Sequence, residues 1–97
     1  MTPKAKDKLL ALPNVGPSVR GDLRRLGVDS LAELARQDPD ELFVRIGRMD
    51  GRFHDPCLWD TFAAIIHMAR GGGKTMWWEF TPQRKARQAK GEFPTEL

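Results

Sequence analysis

Leu12-Pro13-Asn14-Val15-Gly16-Pro17-Ser18 is the stretch that decides how this chain folds. It lies between two segments with helical apolar spacing, and it predicts a tight hairpin whose far end begins a helix. Gly16 is expected to supply backbone angles that other residues avoid, and Asn14 tolerates the left-handed region better than most side chains. Pro17 suits the first helical position because its ring holds φ near the helical value. Free amides at such a helix start predict a site for an anion such as phosphate.

Prolines that follow capping residues predict where the helices begin. Five of the seven prolines are of this kind, in Thr2-Pro3, Gly16-Pro17, Asp38-Pro39, Asp55-Pro56 and Thr81-Pro82. Apolar residues at helical spacing then predict about five helices, over residues 3–12, 17–26, 31–36, 39–49 and 56–70. No alternating strand pattern stands out. We expect an all-α fold in which the last of these helices, the most apolar, is central, and in which Met49 joins the core.

The size and composition of the chain limit its class. With 97 residues it is expected to form one domain around one core. We divide it into a helical domain over residues 1–80 and a basic C-terminal tail over 81–97, which has a short helix and a frayed end. No apolar run is long enough for a membrane span, and the N-terminus has no apolar secretion signal. The lone Cys57 cannot form an internal disulfide. We therefore expect a cytoplasmic protein that does not bind a membrane.

Charge is distributed unevenly along the chain. The formal charge is +3 over residues 1–36, −2 over 37–70 and +2 over 71–97. Basic ends are typical of proteins that bind a polyanion, although solubility alone could explain so small an excess. The acidic middle would suit a basic protein partner.

The hairpin supplies the candidate DNA-binding residues. These residues are expected to offer amides, a hydroxyl or positive charge to a backbone phosphate: Asn14, Val15, Gly16, Ser18, Arg20, Arg24 and Arg25. The three arginines are expected on the outer face of the second helix. Further contacts are expected from cations of the second predicted hairpin and of the tail: Arg52, Arg84, Lys85 and Arg87. Exposed tryptophans can also stack on bases, so Trp77 and Trp78 either contact a ligand or pack on the core.

Part of the chain resembles a helix-hairpin-helix motif: Leu12 to Leu23, followed by Leu26-Gly27-Val28 and Ser30 to Leu34. Three later stretches narrow the resemblance to the small bacterial pathogenicity locus family: Asp38 to Leu42, His54 to Trp59 and Lys74 to Phe80. Some members of that family are labelled mitomycin resistance proteins. The resemblance implies a single compact helix-hairpin-helix (SAM-like) domain. It also implies sequence-independent DNA binding, in an accessory role in repair or recombination. Gly21 would keep the small size that close helix packing needs.

The sequence gives no support for catalysis or for a cofactor. It lacks a convincing base–nucleophile pair, and a helix that contains both Cys57 and His67 places them on different faces, so no metal site is expected. We therefore expect a protein that is not an enzyme. An alternative function is a protein–protein adaptor on the same helical scaffold, for instance within a DNA-processing assembly.

Overall fold

The computed structural model of the protein describes residues 7–97, and every regular element within that range is helical. The all-α prediction is therefore confirmed. Five α-helices and one 3₁₀ turn follow one another: α1 (Pro17–Arg25), α2 (Leu31–Ala35), α3 (Pro39–Asp50), α4 (Cys57–Ala69), the 3₁₀ turn (Trp77–Phe80) and α5 (Thr81–Ala89). None of these helices is long and apolar enough to cross a bilayer.

Capping side chains begin α2 and α3 where the sequence predicts. The Ser30 hydroxyl accepts a hydrogen bond from the Glu33 amide at 3.1 Å, and so starts α2. The Asp38 carboxylate accepts one from the Asp40 amide at 3.1 Å, at the start of α3. Each cap satisfies an amide that has no partner inside its own helix. The boundaries of the short helices therefore follow from local sequence.

The helix predicted over residues 3–12 is wrong for the part that the structure describes. Residues 8–14 form consecutive turns, and residues 3–6 lie outside the described range. The Leu12 amide bonds to the Leu9 carbonyl at 3.1 Å, which is the spacing of a turn and not of an α-helix. Pro13 contributes to this outcome because it disfavours helical angles at Leu12 and has no amide to continue a helix. Leu9 is nevertheless buried, so the segment packs on the core without being helical.

The core forms around α4, as predicted. Phe62, Ile65 and Ile66 of this helix are almost fully buried, and α2, α3 and the 3₁₀ turn pack against it. Leu23, Leu34, Phe43 and others from the preceding helices complete one cluster. Met49 is an exception to the prediction: it is 51% exposed, because it lies near the end of α3 where the helix extends beyond the core.

The C-terminal segment packs closely on α4. Asp60 of α4 is fully buried and forms a salt bridge with Arg84 of α5. Beyond α5, Phe93 is buried against Phe43 and Trp59, with ring centroids 5.5 and 5.9 Å apart. The division of the chain between residues 80 and 81 stays a prediction, and these are the contacts that cross it.

Candidate nucleic-acid interface

Asn14, and not Gly16, makes the unusual bend of the hairpin. Asn14 has φ of 72°, in the left-handed region, whereas Gly16 has φ of −95° and ψ of −177°. The expectation that Gly16 needs angles closed to other residues is therefore wrong, since any residue can adopt extended backbone. Asn is the non-glycine side chain that best tolerates the left-handed region. The turn is thus completed before the glycine is reached.

Gly16 caps the N-terminus of α1 but offers no side chain to it. The amides of Gly16, Ser18 and Val19 find no hydrogen-bond acceptor within residues 7–97, and Pro17 has no amide to offer. Val15 differs from the prediction. Its amide donates to the Leu12 carbonyl at 3.2 Å, and its side chain lies in the core. The open donors of this helix end are therefore those of residues 16, 18 and 19.

Two glycines leave space beside the backbone of α1. A Cβ atom added at Gly16 or at Gly21 would meet nothing within 4 Å. The close packing expected at Gly21 is therefore not made by any residue from 7 to 97. Among these residues, neither steric crowding nor backbone conformation requires glycine at the two positions. Their small size leaves room for an outside group to approach the backbone of α1.

Arg20 is buried, which contradicts its predicted place on the outer face of α1. Its guanidinium donates to Asp7 at 2.8 Å, to Asp29 at 3.1 Å and to the Val28 carbonyl at 3.3 Å. The bond from Arg20 lowers the pKa of the Asp7 carboxyl below its ordinary value. Arg20 therefore joins the turn before the hairpin to the loop after α1, and it is not presented to a ligand.

The other two arginines of α1 are exposed but differ in their partners. Arg25 bonds to Asp22 at 3.4 Å and also pairs with Asp50 at the end of α3. Arg24 forms no salt bridge with any residue in the described range. It lies about two helical turns from the start of α1, on the same side as Pro17 and Gly21. Arg24 is thus the arginine of α1 that is most available to an anion.

A contact that the sequence did not indicate joins the hairpin to residues 74–80, here called the tryptophan segment. The Asn14 side-chain amide donates to the Thr75 carbonyl at 3.0 Å, and its oxygen accepts from the Trp77 amide at 2.9 Å. This places the exposed Lys74 next to the hairpin. The partners lie 61 and 63 residues from Asn14 in sequence, so no local pattern could have revealed them.

The secondary candidate residues divide into two kinds. Arg52 and Lys85 are exposed. Arg84 is held by both oxygens of Asp60, at 3.0 Å each. Arg87 makes two bonds of 2.7 Å to Asp40, and its guanidinium carbon lies 5.5 Å from the centroid of the Trp59 ring. Arg84 and Arg87 therefore attach α5 to Asp60 and Asp40, and their charges are already paired with these carboxylates.

Cys57 and the two histidines are the groups considered for metal or thiol chemistry. Within the described part of the chain, His, Cys, Asp and Glu side chains form no group of three that could hold a metal ion. Burial and the neighbouring Asp55 carboxylate raise the pKa of the Cys57 thiol. A raised pKa disfavours the reactive thiolate, so Cys57 fits a packed and inert role.

Comparison with known proteins places this fold in a family. The sequence model of the pathogenicity locus family (Cdd1) matches residues 2–86, so the chain belongs to that family. A relative, the mitomycin resistance protein McrB of Streptomyces lavendulae, is 39% identical over 85 residues, which are 88% of this chain and 81% of that protein. No solved structure matches the chain. The resemblance to the pathogenicity locus family is thereby confirmed.

Proposed function

We propose that the protein binds DNA without sequence preference, through the hairpin of residues 13–18 and the start of α1. The hairpin would be the DNA-facing turn of a helix-hairpin-helix element whose first half is a series of turns. The observation that carries the proposal is the open N-terminus of α1, where three amides lack acceptors within residues 7–97 and two glycines leave space beside the backbone. Such a helix end favours a phosphate through its amides and its dipole.

The available charge supports weak binding to the DNA backbone. Arg24 and Lys74 are exposed near the hairpin, and the exposed Ser18 adds a hydroxyl. Arg20 is withdrawn into its own salt bridges, and Arg25 is shared between two carboxylates. So few contacts predict a dissociation constant of about 10⁻⁴–10⁻⁶ M at physiological salt. A protein that binds this weakly suits an accessory role in a cytoplasmic DNA repair or recombination assembly, and it needs no catalytic group or cofactor.

A different surface supports the second candidate function, a protein–protein adaptor. A groove of about 440 Å³ is lined by Phe43, Phe53, Pro56 and Phe93 among others. Phe53 is 37% exposed. Apolar surface of this kind is typical of protein contact sites. Binding of a protein partner to this groove would not require the hairpin. A substitution in the hairpin should therefore weaken DNA binding and leave an adaptor function unchanged.

Gly16→Asp is the variant that tests DNA binding. The new carboxylate would cap the amides of α1 and repel phosphate, while the extended backbone at Gly16 accepts any residue. The matched control is Ala32→Asp, which adds the same charge at the exposed first turn of α2. An NMR titration with two short duplexes of unrelated sequence would follow the amides of residues 14–20 and the affinity.

The proposal expects the wild-type protein and Ala32→Asp to bind both duplexes alike at low salt. Neutralising two or three phosphates predicts that the logarithm of the binding constant falls with the logarithm of salt concentration with a slope of about −2 to −3. Gly16→Asp is expected to weaken binding at least about tenfold, because amides and charge are lost together. The proposal fails if neither duplex binds at low salt, or if Gly16→Asp binds as the wild type does.

A further inference from the structure

The tryptophan segment presents an exposed aromatic surface beside the hairpin. Trp78 is 54% exposed, and its ring meets that of Trp77 edge-on, with centroids 5.7 Å apart and planes at 81°. Phe80, by contrast, packs against the core. Of the two tryptophans whose place the sequence left open, Trp77 is therefore half-buried, whereas Trp78 is available to a ligand.

Hydrogen bonds hold the backbone that carries these rings. The Glu79 carboxylate accepts bonds from the Met76 amide at 2.6 Å and from the Thr75 hydroxyl at 2.8 Å, which closes the start of the 3₁₀ turn. Backbone bonds from the Asn14 side chain fix the same segment to the hairpin. A ligand would therefore meet rings on a backbone that is already held in place, and would lose less free energy in ordering that segment.

An open groove lies beside the two rings. Its volume is about 570 Å³, and it is lined by Cys57, Trp77, Trp78, Thr81, Pro82, Arg84 and Lys85. Lys85 is exposed at this groove, and Lys74 is exposed on the hairpin side. The carboxylate of Glu79, the acidic group of the same turn, is already engaged in two hydrogen bonds. Flat apolar rings flanked by lysines suit a ligand that is both aromatic and anionic.

We propose that the surface formed by Trp77, Trp78 and Lys85, the tryptophan ledge, binds an unpaired nucleotide next to a DNA duplex. The inference rests on the proposed function and names its substrate class: a junction between double-stranded and single-stranded DNA. The duplex backbone would lie on the hairpin, and the first unpaired base would stack on Trp78. Continuity between the two surfaces is the reason for this choice, since Asn14 bonds directly to the backbone of Trp77.

Three probes distinguish the ledge from the hairpin: a blunt duplex, the same duplex with a short overhang, and a short single strand. Tryptophan fluorescence and affinity would be measured for the wild-type protein, Trp78→Ala and Trp78→Phe. Met49→Ala is the control, because Met49 is similarly exposed at 51% and lies on α3. Stacking of one base predicts that the overhang increases the affinity of the wild-type protein roughly tenfold and quenches its fluorescence.

Trp78→Ala is expected to lose the preference for the overhang while its affinity for the blunt duplex stays unchanged. Trp78→Phe should keep part of the preference, and Met49→Ala all of it. The proposal for the ledge is wrong if the wild-type protein binds blunt and overhang duplexes equally. It is also wrong if the preference for the overhang survives Trp78→Ala.

The two proposals can fail separately. Gly16→Asp should weaken binding of the blunt and overhang duplexes alike. If only probes with unpaired bases bind, through Trp78 and without effect of Gly16→Asp, the hairpin proposal fails and the junction fails with it, because Trp78 then binds single strands alone. If an apolar peptide changes the tryptophan fluorescence and none of the three DNA probes does, the ledge is a protein contact and the inference is wrong.

Discussion

The buried salt bridge between Asp60 and Arg84 is expected to decide whether the C-terminal helix stays on the domain. Both oxygens of Asp60 accept from Arg84 at 3.0 Å, and one also accepts from the Thr81 hydroxyl at 2.7 Å. Asp60 is fully buried, and the Arg84 side chain is 9% exposed. We predict that Arg84→Met strongly destabilises the protein, because the methionine keeps the apolar packing but leaves Asp60 without its counter-ion.

The expected loss is large compared with the stability of a domain of this size. Removing one partner of a buried pair costs about 3–5 kcal/mol, since the remaining charge is buried without compensation. The whole free energy of unfolding of such a domain is only about 5–15 kcal/mol. Replacing both partners in Asp60→Leu/Arg84→Met removes the charges together, and should restore most of what the single variant loses.

Urea unfolding followed by far-ultraviolet circular dichroism measures these free energies. Arg48→Met is the matched control, because Arg48 is an exposed arginine of α3, and its replacement should change stability by about 0.5 kcal/mol at most. A loss below about 1 kcal/mol for Arg84→Met would refute the reasoning that the charge of Asp60 is buried. A double variant as unstable as the single one would show that packing, and not the charge, is what Arg84 contributes.

Three further predictions concern the hairpin, the C-terminus and acid stability. Asn14→Ala should destabilise the protein by about 2–3 kcal/mol in urea unfolding, because it loses two hydrogen bonds and places alanine at φ of 72°. Asn14→Gly should lose less, since glycine adopts that angle freely, and equal losses would contradict the strain argument. Phe93→Ala should cost about 3 kcal/mol by the same measurement although Phe93 lies beyond the family match, and a neutral result would mean that its ring does not belong to the core. The bonds from Arg87 hold the pKa of Asp40 below its ordinary value of 3.8. The stability from that pair is therefore present above about pH 4 and is lost as the pH falls through the lowered pKa. Unfolding measured across this range should show a smaller acid loss for Asp40→Asn than for the wild type, and parallel curves would contradict the assignment.

Local sequence predicted the starts of α1, α2 and α3 correctly. The starts of α2 and α3 depend on one side chain bonded to an amide two or three residues away, so the information is contained in adjacent residues. The helix predicted over residues 3–12 is wrong in the described residues, where turns replace it. Thr2-Pro3 and the apolar spacing favoured a helix there, but Pro13 favours turns, and Leu9 is buried without being in a helix.

The sequence predicted where the hairpin lies, but not which of its candidate side chains are exposed. The hairpin was identified from its own residues, because a proline after glycine marks a helix start. Sequence spacing placed Arg20 outside, although Asp7 and Asp29 hold it inside. The pairing of Arg84 with Asp60 and of Arg87 with Asp40 likewise joins groups 24 and 47 residues apart. A count of positive charges therefore overestimated the cations that are free to meet a ligand.

By itself, then, the sequence determined the helical class of this protein, the starts of α1, α2 and α3, and the position of the hairpin, since each depends on neighbouring residues. The tertiary structure alone decided which arginines are exposed, that Asn14 and not Gly16 takes the left-handed bend, and that Asn14 joins the hairpin to Trp77. The physical reason is that caps and prolines act through bonds a few residues long. Ion pairs and side-chain clamps, in contrast, depend on which distant segments the folded core brings together.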